Sequence, residues 1–348
     1  MFDITKVDTN FAVKTSIEKD DIKFYSIDEK PFTIYGVFKE NGKYRRMPEA
    51  VAKTVSERVY ILHSKTAGGR VKFVTDSSYV AISAKVGEYY RTSHGVFTNT
   101  AGFDMYADGR FIKSFIPPFE MEDGYESVLE IGGERKMREI TISFPNYAEV
   151  TELYIGLQED ASIKESAPYK NEKPIVYYGS SITQGGCASR PGMSYEAIIA
   201  REMNYDFINL GFSGNAKAED EIAEYIADLD MSVFVYDYDH NAPSVEHLRN
   251  THERMFKKVR EKNPDLPIII MPRPKYYLNE EEIVKRDIIK ATYDNAVASG
   301  DKNVYFIDGK ELMALCKDNG TVDNTHPTDF GFNSMARAVM KVLEKIKI

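Results

Sequence analysis

Residues Ile175-Val176-Tyr177-Tyr178-Gly179-Ser180-Ser181-Ile182-Thr183-Gln184-Gly185-Gly186 read as an apolar strand that runs directly into a turn of small residues. Gly179 lets the backbone bend sharply where the strand stops. The serines then project from the carboxyl end of a sheet, the edge at which open α/β folds gather their ligands. Turns of this kind also occur in α/β domains where they do no chemistry. Asp323-Asn324-Thr325-His326-Pro327, far along the chain, gives this one its weight. A nucleophilic serine needs a base, and the base needs an orienting carboxylate.

Outward from that stretch, the second half alternates strands with helices. Strands are predicted at 175–178, 207–210, 233–236, 268–271 and 304–307, each followed by a helical pattern. Tyr195, Ile198, Ile199 and Met203 line one helix face, and Ile222, Tyr225, Ile226 and Leu229 line the next. Val245, Leu248, Met255, Phe256 and Val259 mark a third helix, and Met335, Val339, Val342, Leu343 and Ile346 mark the last. Five βα units in succession predict a five-stranded parallel sheet covered on both faces, a three-layer α/β/α domain over 172–348.

The first half reads differently. Apolar-rich runs at 32–38, 58–62, 70–74, 79–83, 102–106, 110–115, 127–131, 138–144 and 150–155 are short and closely spaced, with turns at Gly68-Gly69, Asp108-Gly109 and Gly132-Gly133. That spacing predicts an antiparallel, jelly-roll-like sandwich over 1–165. Between 159 and 174 the chain turns polar and loses its periodicity, which places the boundary there.

With 348 residues, 43% hydrophobic and 28% charged, the chain has material for about two soluble domains. A net charge of −9 with no dominant basic cluster argues against nucleic acid or an anionic membrane as partner. Cys187 and Cys316 are too few for a disulfide framework or a cysteine-based zinc site. Met1-Phe2-Asp3-Ile4-Thr5-Lys6 lacks a basic stretch followed by an apolar run, and no apolar stretch approaches a membrane span, so the expected location is cytoplasmic.

Each polar motif of the second half follows a predicted strand. After the second strand, Asn209-Leu210-Gly211-Phe212-Ser213-Gly214-Asn215 leaves backbone N–H groups uncovered and able to meet an oxyanion. After the third, Asp239-His240-Asn241-Ala242 offers Asn241 as an amide donor. These four blocks, in this order, resemble those of the SGNH (GDSL-type) hydrolases, over roughly 172–348. The resemblance implies Ser181 as nucleophile, His326 as general base and Asp323 as its orienting carboxylate. It further implies an oxyanion hole made of the Ser181 N–H, the Gly214 N–H and the Asn241 side chain. Two positions depart from the family pattern: Ser180 stands where an aspartate is usual, and Asp239-His240-Asn241-Ala242 replaces Gly-x-Asn-Asp. Both departures bear on the hydrogen bonding around nucleophile and donor. The alternative serine-hydrolase motif, Gly-x-Ser-x-Gly, fails because Thr183 occupies its last position.

Members with an amino-terminal β-sandwich also look similar in the run Ala188-Ser189-Arg190-Pro191-Gly192 and in a Gly-x-Asp-x-Tyr stretch, here Gly102-Phe103-Asp104-Met105-Tyr106. Such members include carbohydrate esterases that remove acetyl groups from plant polysaccharides. The expected substrate is therefore an acetylated carbohydrate or another small ester. A lipase or thioesterase, or a carbohydrate-binding protein with a silent hydrolase half, are the alternatives. At least one loop of the first domain is expected to border the active-site mouth, with 102–106 the candidate stretch. Asp104 is expected to accept hydrogen bonds from sugar hydroxyls or from Arg190, and Arg190 to hold a sugar hydroxyl or carboxylate or else to make a surface ion pair; the alternative for 102–106 is an ordinary strand inside the sandwich. Tyr276, beside Tyr277, is the candidate stacking surface, since the chain has no Trp. No cofactor is expected. No metal is expected either, because His63, His94, His240, His247, His252 and His326 show no ligand spacing, and His247 and His252 read as helix-surface residues. The sequence leaves the oligomeric state open.

Overall fold

A computed structural model describes residues 3–346 and 348. In the second half, strands β1 (Ile175–Gly179), β2 (Phe207–Gly211), β3 (Val233–Asp237), β4 (Ile268–Ile270) and β5 (Val304–Phe306) form a parallel sheet in the order β2-β1-β3-β4-β5. Successive side chains of a strand point to opposite faces, and here both faces are apolar. Val176, Tyr178, Phe234 and Tyr236 pack on one side, under α2 (Asp220–Ala227), α3 (Val245–Lys262) and α4 (Glu280–Ala298). Ile175, Tyr177, Val233 and Val235 pack on the other, under α1 (Tyr195–Met203) and α5 (Asp329–Leu343). This is the three-layer α/β/α arrangement the periodicity predicts. The strand order reverses between β1 and its neighbours, the position at which such sheets open a crevice for ligands.

Among the described residues, the first half holds two large antiparallel sheets and a hairpin, Phe38–Glu40 with Lys43–Arg45. One runs Ile22–Ser26, Ala148–Gln158, Tyr79–Tyr89, Gly124–Glu130. The other runs Ile163–Lys164, Arg70–Thr75, Arg138–Ser143, Phe103–Ala107, Arg110–Phe115, with Thr33–Tyr35 also paired to Arg70–Thr75. Inward residues of both, among them Phe73, Ile82, Met105, Ile142 and Ile155, share one core. Ile163–Lys164, inside the polar stretch before the second half, is paired into the sandwich.

One predicted strand is a helix. Residues 58–62 lie in the helix Glu57–Leu62, preceded by another, Glu49–Val55. Ser56 caps the later helix, its Oγ accepting from the Val59 N–H at 3.1 Å. The helix turns Val59 and Leu62 into the core of the α/β half, beside Ala52 and Val55. Strand propensities span only about 1 kcal/mol, whereas each buried aliphatic side chain contributes roughly 1.5–3 kcal/mol. Tertiary burial therefore overrides the local preference.

Arginines join the halves, among them the buried Arg46 and the half-buried Arg190. Arg46, 2% exposed, reaches the end of β2. It donates from Nη1 to Gly211 O at 2.7 Å and Asn209 O at 3.0 Å, and from Nη2 to Leu62 O at 2.8 Å. Burial pulls its pKa down to about 9, which leaves it charged at neutral pH. Arg190 is held by Asp104, whose Oδ2 accepts from Arg190 Nη1 at 2.7 Å and from the Gly192 N–H at 2.8 Å. Asp104 Oδ1 accepts from Ser114 Oγ at 2.7 Å. Arg190 also donates to Tyr106 OH at 2.6 Å and stacks 3.7 Å from the Phe111 ring centre. A side chain at Gly192 would meet Tyr106 OH at 1.9 Å, so only glycine fits there.

Asp104 is fully buried, and both its oxygens are occupied by the protein. It is therefore paired within the protein, with Arg190 as one of its donors, and Arg190 commits Nη1 to the same junction while its side chain stays 18% exposed. Breaking a buried ion pair typically costs about 3–5 kcal/mol because a charge is left unpaired. Asp104→Ala should lower unfolding free energy in urea by that order. It should change hydrolysis of a small aryl acetate and of an acetylated oligosaccharide by the same factor; a selective loss on the oligosaccharide would restore a substrate contact.

Candidate active site

At the carboxyl end of β1 the chain folds into consecutive tight turns, with Gln184 N–H bonded to Ser180 O at 3.0 Å and Gly186 N–H to Ser181 O at 2.7 Å. Gly179 is required here, since a Cβ would lie 2.0 Å from Asp237 Oδ1 and 2.1 Å from Thr183 Oγ1. On the far side, Asp323 Oδ1 accepts from the N–H groups of Thr325 at 3.0 Å and His326 at 2.7 Å, closing a turn before α5. That turn brings Asp323 Oδ2 to His326 Nδ1 at 2.7 Å. Ser181 Oγ then lies 2.9 Å from His326 Nε2. The three residues form one chain of hydrogen bonds: the hydroxyl donates to Nε2, and Nδ1–H donates to the carboxylate. Partial burial works against charge on Asp323, but the His326 backbone and imidazole donors outweigh it and hold its pKa below the usual carboxylate range.

Asn241 Oδ1 accepts from the Ala216 N–H at 3.1 Å, which leaves the Nδ2 amino group as the donor end of this amide. Gly214 takes φ +70°. Among the described residues, neither the Ser181 nor the Gly214 N–H donates to another protein group, as a site built for an incoming oxyanion requires.

Asp237, at the end of β3, puts a carboxyl under the turn, where no carboxyl stands at Ser180. Its Oδ1 accepts from Thr183 Oγ1 at 2.6 Å, and burial pushes its pKa up to about 8. At neutral pH it is therefore mostly a neutral acid.

The first half contributes more than the sequence indicated, and at other residues. Tyr147 OH lies 3.0 Å from Ser213 Oγ and donates to Ser181 O at 3.3 Å. Asn99 Nδ2 donates to Gly185 O at 2.9 Å, and Gln184 Nε2 donates to Asn146 O at 3.1 Å. A pocket of about 100 Å³ beside Ser181 and His326 is walled by Thr92, His94, Asn99, Thr100 and Tyr147 of the first half and by Cys187 and Ser213 of the second. A loop of the first half thus borders the site, but it is 90–100 rather than 102–106. Burial, with a smaller contribution from Asp323, pushes the Cys187 thiol up to about 11. Tyr276 lies outside this pocket; its N–H bonds Asp318 at 2.7 Å and its ring packs edge-on against Tyr277. His252 is not a surface residue. It is 1% exposed, stacked on Tyr236 and bonded to Thr292 Oγ1 at 2.8 Å, and burial lowers its pKa to about 3.

A serine, histidine and aspartate linked in this way at the strand ends of a three-layer sheet define a serine hydrolase. Residues 172–344 match the GDSL-like Lipase/Acylhydrolase family, and residues 22–163 match the N-terminus of Esterase_SGNH_hydro-type. A GDSL-like lipase-type protein of Bacteroides ovatus is 33% identical, over 93% of this chain and 98% of that one, with a TM-score of 0.82. The chain belongs to the GDSL-like lipase/acylhydrolase family and is an ester hydrolase of that family. The fold is shared with the salicylyl-acyltransferase SsfX3 from a tetracycline biosynthetic pathway, at 18% identity, 95% and 100% coverage and TM-score 0.74. It is also shared with an acetyl xylan esterase, Est2A, from Butyrivibrio proteoclasticus, at 13% identity, 93% and 98% coverage and TM-score 0.59. None of the curated proteins compared with the chain matched.

Asp237 supplies a pH test of this geometry. The unfolded carboxyl releases its proton near its ordinary value of 3.8, but the folded one holds it to about 8. Between those values the folded state binds more protons, so this group's contribution to stability falls as pH rises. Asp237→Asn removes that dependence. The urea midpoint of the variant minus that of the native protein should therefore be more positive at pH 8 than at pH 5, whereas a difference independent of pH would place an ionised carboxylate here.

Proposed function

We propose that this chain is a serine esterase that removes O-acetyl groups from carbohydrate, an oligosaccharide or polysaccharide of hemicellulose type, through an acyl-enzyme. The observation that carries the reading is the hydrogen-bonded Ser181, His326 and Asp323 facing a pocket of about 100 Å³. Clefts for drug-sized ligands run to roughly 300–1,000 Å³, so this one suits a short acyl group. The shared fold of the acetyl xylan esterase makes carbohydrate the alcohol to test first.

Ser181 Oγ attacks the ester carbonyl while His326 Nε2 takes its proton, and Asp323 stabilises the imidazolium that results. Negative charge on the carbonyl oxygen is met by the Ser181 and Gly214 N–H groups and the Asn241 amide. His326 then protonates the departing sugar hydroxyl. A water, deprotonated by the same imidazole, releases acetate and restores Ser181. Each well-placed oxyanion donor is worth about 10²- to 10³-fold in rate.

Rates on p-nitrophenyl acetate, butyrate and octanoate should fall with chain length, and Ser181→Ala should lower kcat on the acetate by at least about 10³-fold. Acetate release from acetylated xylan and mannan identifies the sugar. A rate that rises with chain length would replace the acetyl esterase by a lipase- or thioesterase-type acyl hydrolase. An unchanged rate in Ser181→Ala would leave the chain a carbohydrate binder.

Asn241→Ala separates transition-state from ground-state binding. Turnover should drop by about 10²-fold or more with little change in KM, and a raised KM at normal kcat would assign the amide to substrate binding.

A further inference from the structure

Around His326 the fold gathers a second set of groups that the hydrolysis does not use. His94, on the loop of the first half, lies with its ring centre 5.7 Å from that of His326. Cys187 follows the nucleophile turn and holds a left-handed backbone at φ +68°. One ligand atom from each of His94, Cys187 and His326 can be chosen so that all three lie within 4.8 Å of one another. A tetrahedral zinc site, with metal–ligand bonds of about 2.0–2.3 Å, separates its ligand atoms by roughly 3.4–3.8 Å. The set is thus about an ångström from closure, and His94 is exposed and sits on a loop, so it has room to move.

We propose that His94, Cys187 and His326 form an inhibitory zinc site that straddles the two halves of the chain. Two imidazoles and a thiolate select a borderline-soft ion such as Zn²⁺ over Mg²⁺ or Ca²⁺. Asp323 Oδ2 lies 2.7 Å from His326 Nδ1 and 3.9 Å from His94 Nε2, so the ion takes His326 Nε2, the nitrogen that otherwise receives the Ser181 proton, and His94 turns from the carboxylate to reach it. The carboxylate behind the ring plays the part that such carboxylates play behind metal-bound histidines, orienting the imidazole and raising its basicity. Binding forms one Zn–S and two Zn–N bonds, releases the thiol proton to solvent and leaves water as the fourth ligand. No electron is transferred. While the ion is bound, Ser181 has no base.

The loss of activity rests on His326 serving as that base; the binding does not, and the two are measured apart. Zn²⁺ titrated against p-nitrophenyl acetate hydrolysis should inhibit at micromolar concentration, with full recovery on adding EDTA. Cys187→Ser and His94→Ala, each compared with its own metal-free rate, should need at least about tenfold more Zn²⁺ for half-inhibition. Independently of activity, Co²⁺ should give a thiolate-to-metal charge-transfer absorption in the native protein and in Ser181→Ala, and none in Cys187→Ser. Absence of that band in the native protein, or equal Zn²⁺ sensitivity of the native protein and both variants, overturns the site. A band with the expected ligand dependence, together with undiminished hydrolysis under saturating Zn²⁺, overturns the inhibitory site by leaving the ion on groups other than His326 Nε2, whereas the role of His326 as base is read separately from metal-free rates of His326→Ala.

Discussion

A guanidinium with no carboxylate partner among its hydrogen bonds holds this protein together. Arg46 enters the α/β half and ends on the backbone oxygens of Asn209, Gly211 and Leu62, beneath the Phe212 ring. Burying a charge is costly unless it is hydrogen-bonded; Arg46 Nε has no partner, but both Nη atoms end on carbonyls, so the strand end that carries those carbonyls is pinned in place. The same strand end leads into Ser213 and Gly214. Asn209 adds to the constraint, its Nδ2 donating to Thr183 O at 2.6 Å and its Oδ1 accepting from the Gly211 N–H at 2.9 Å. The nucleophile turn and the oxyanion loop are thereby fixed to each other by way of a residue from the opposite half.

This arrangement explains which parts were legible in the sequence. Strand-to-turn transitions are local events, so Gly179-Ser180-Ser181 and Asp323 to His326 announce themselves by residue type and position. The parallel sheet was legible because both its faces are apolar and helices such as Asp220–Ala227, Val245–Lys262 and Asp329–Leu343 are strongly periodic. The helix Glu57–Leu62 was not, because its apolar residues are chosen by a core that belongs to distant residues. His94, Asn99, Asn146 and Tyr147 were invisible for a related reason. Each looks like ordinary loop polarity until the sandwich is docked, and only then do Asn99 and Gly185, or Tyr147 and Ser213, become neighbours.

Gly102-Phe103-Asp104-Met105-Tyr106 teaches the converse. Its composition, an acid flanked by aromatics, suits a sugar platform and suits a buried joint equally well. The distinction lies in Gly192, whose missing side chain lets Tyr106 OH and Asp104 approach its backbone. A motif in one half is decoded by a glycine in the other. Of the two expected partners for Asp104, a sugar hydroxyl or Arg190, the fold realises the pair with Arg190.

The chain separation within the Ser181 to His326 hydrogen bond, 145 residues, has a consequence for how the protein comes into being. Translation at about 5–20 residues per second leaves roughly 7 to 30 s between the appearance of the two. During that interval the serine has nothing to take its proton. The hydroxyl is therefore silent over that interval, and it is switched on only when β5 and the segment that follows it, through His326, have been laid against the sheet. Reactivity in this protein is a property of two distant segments brought together, acquired only when both are in place.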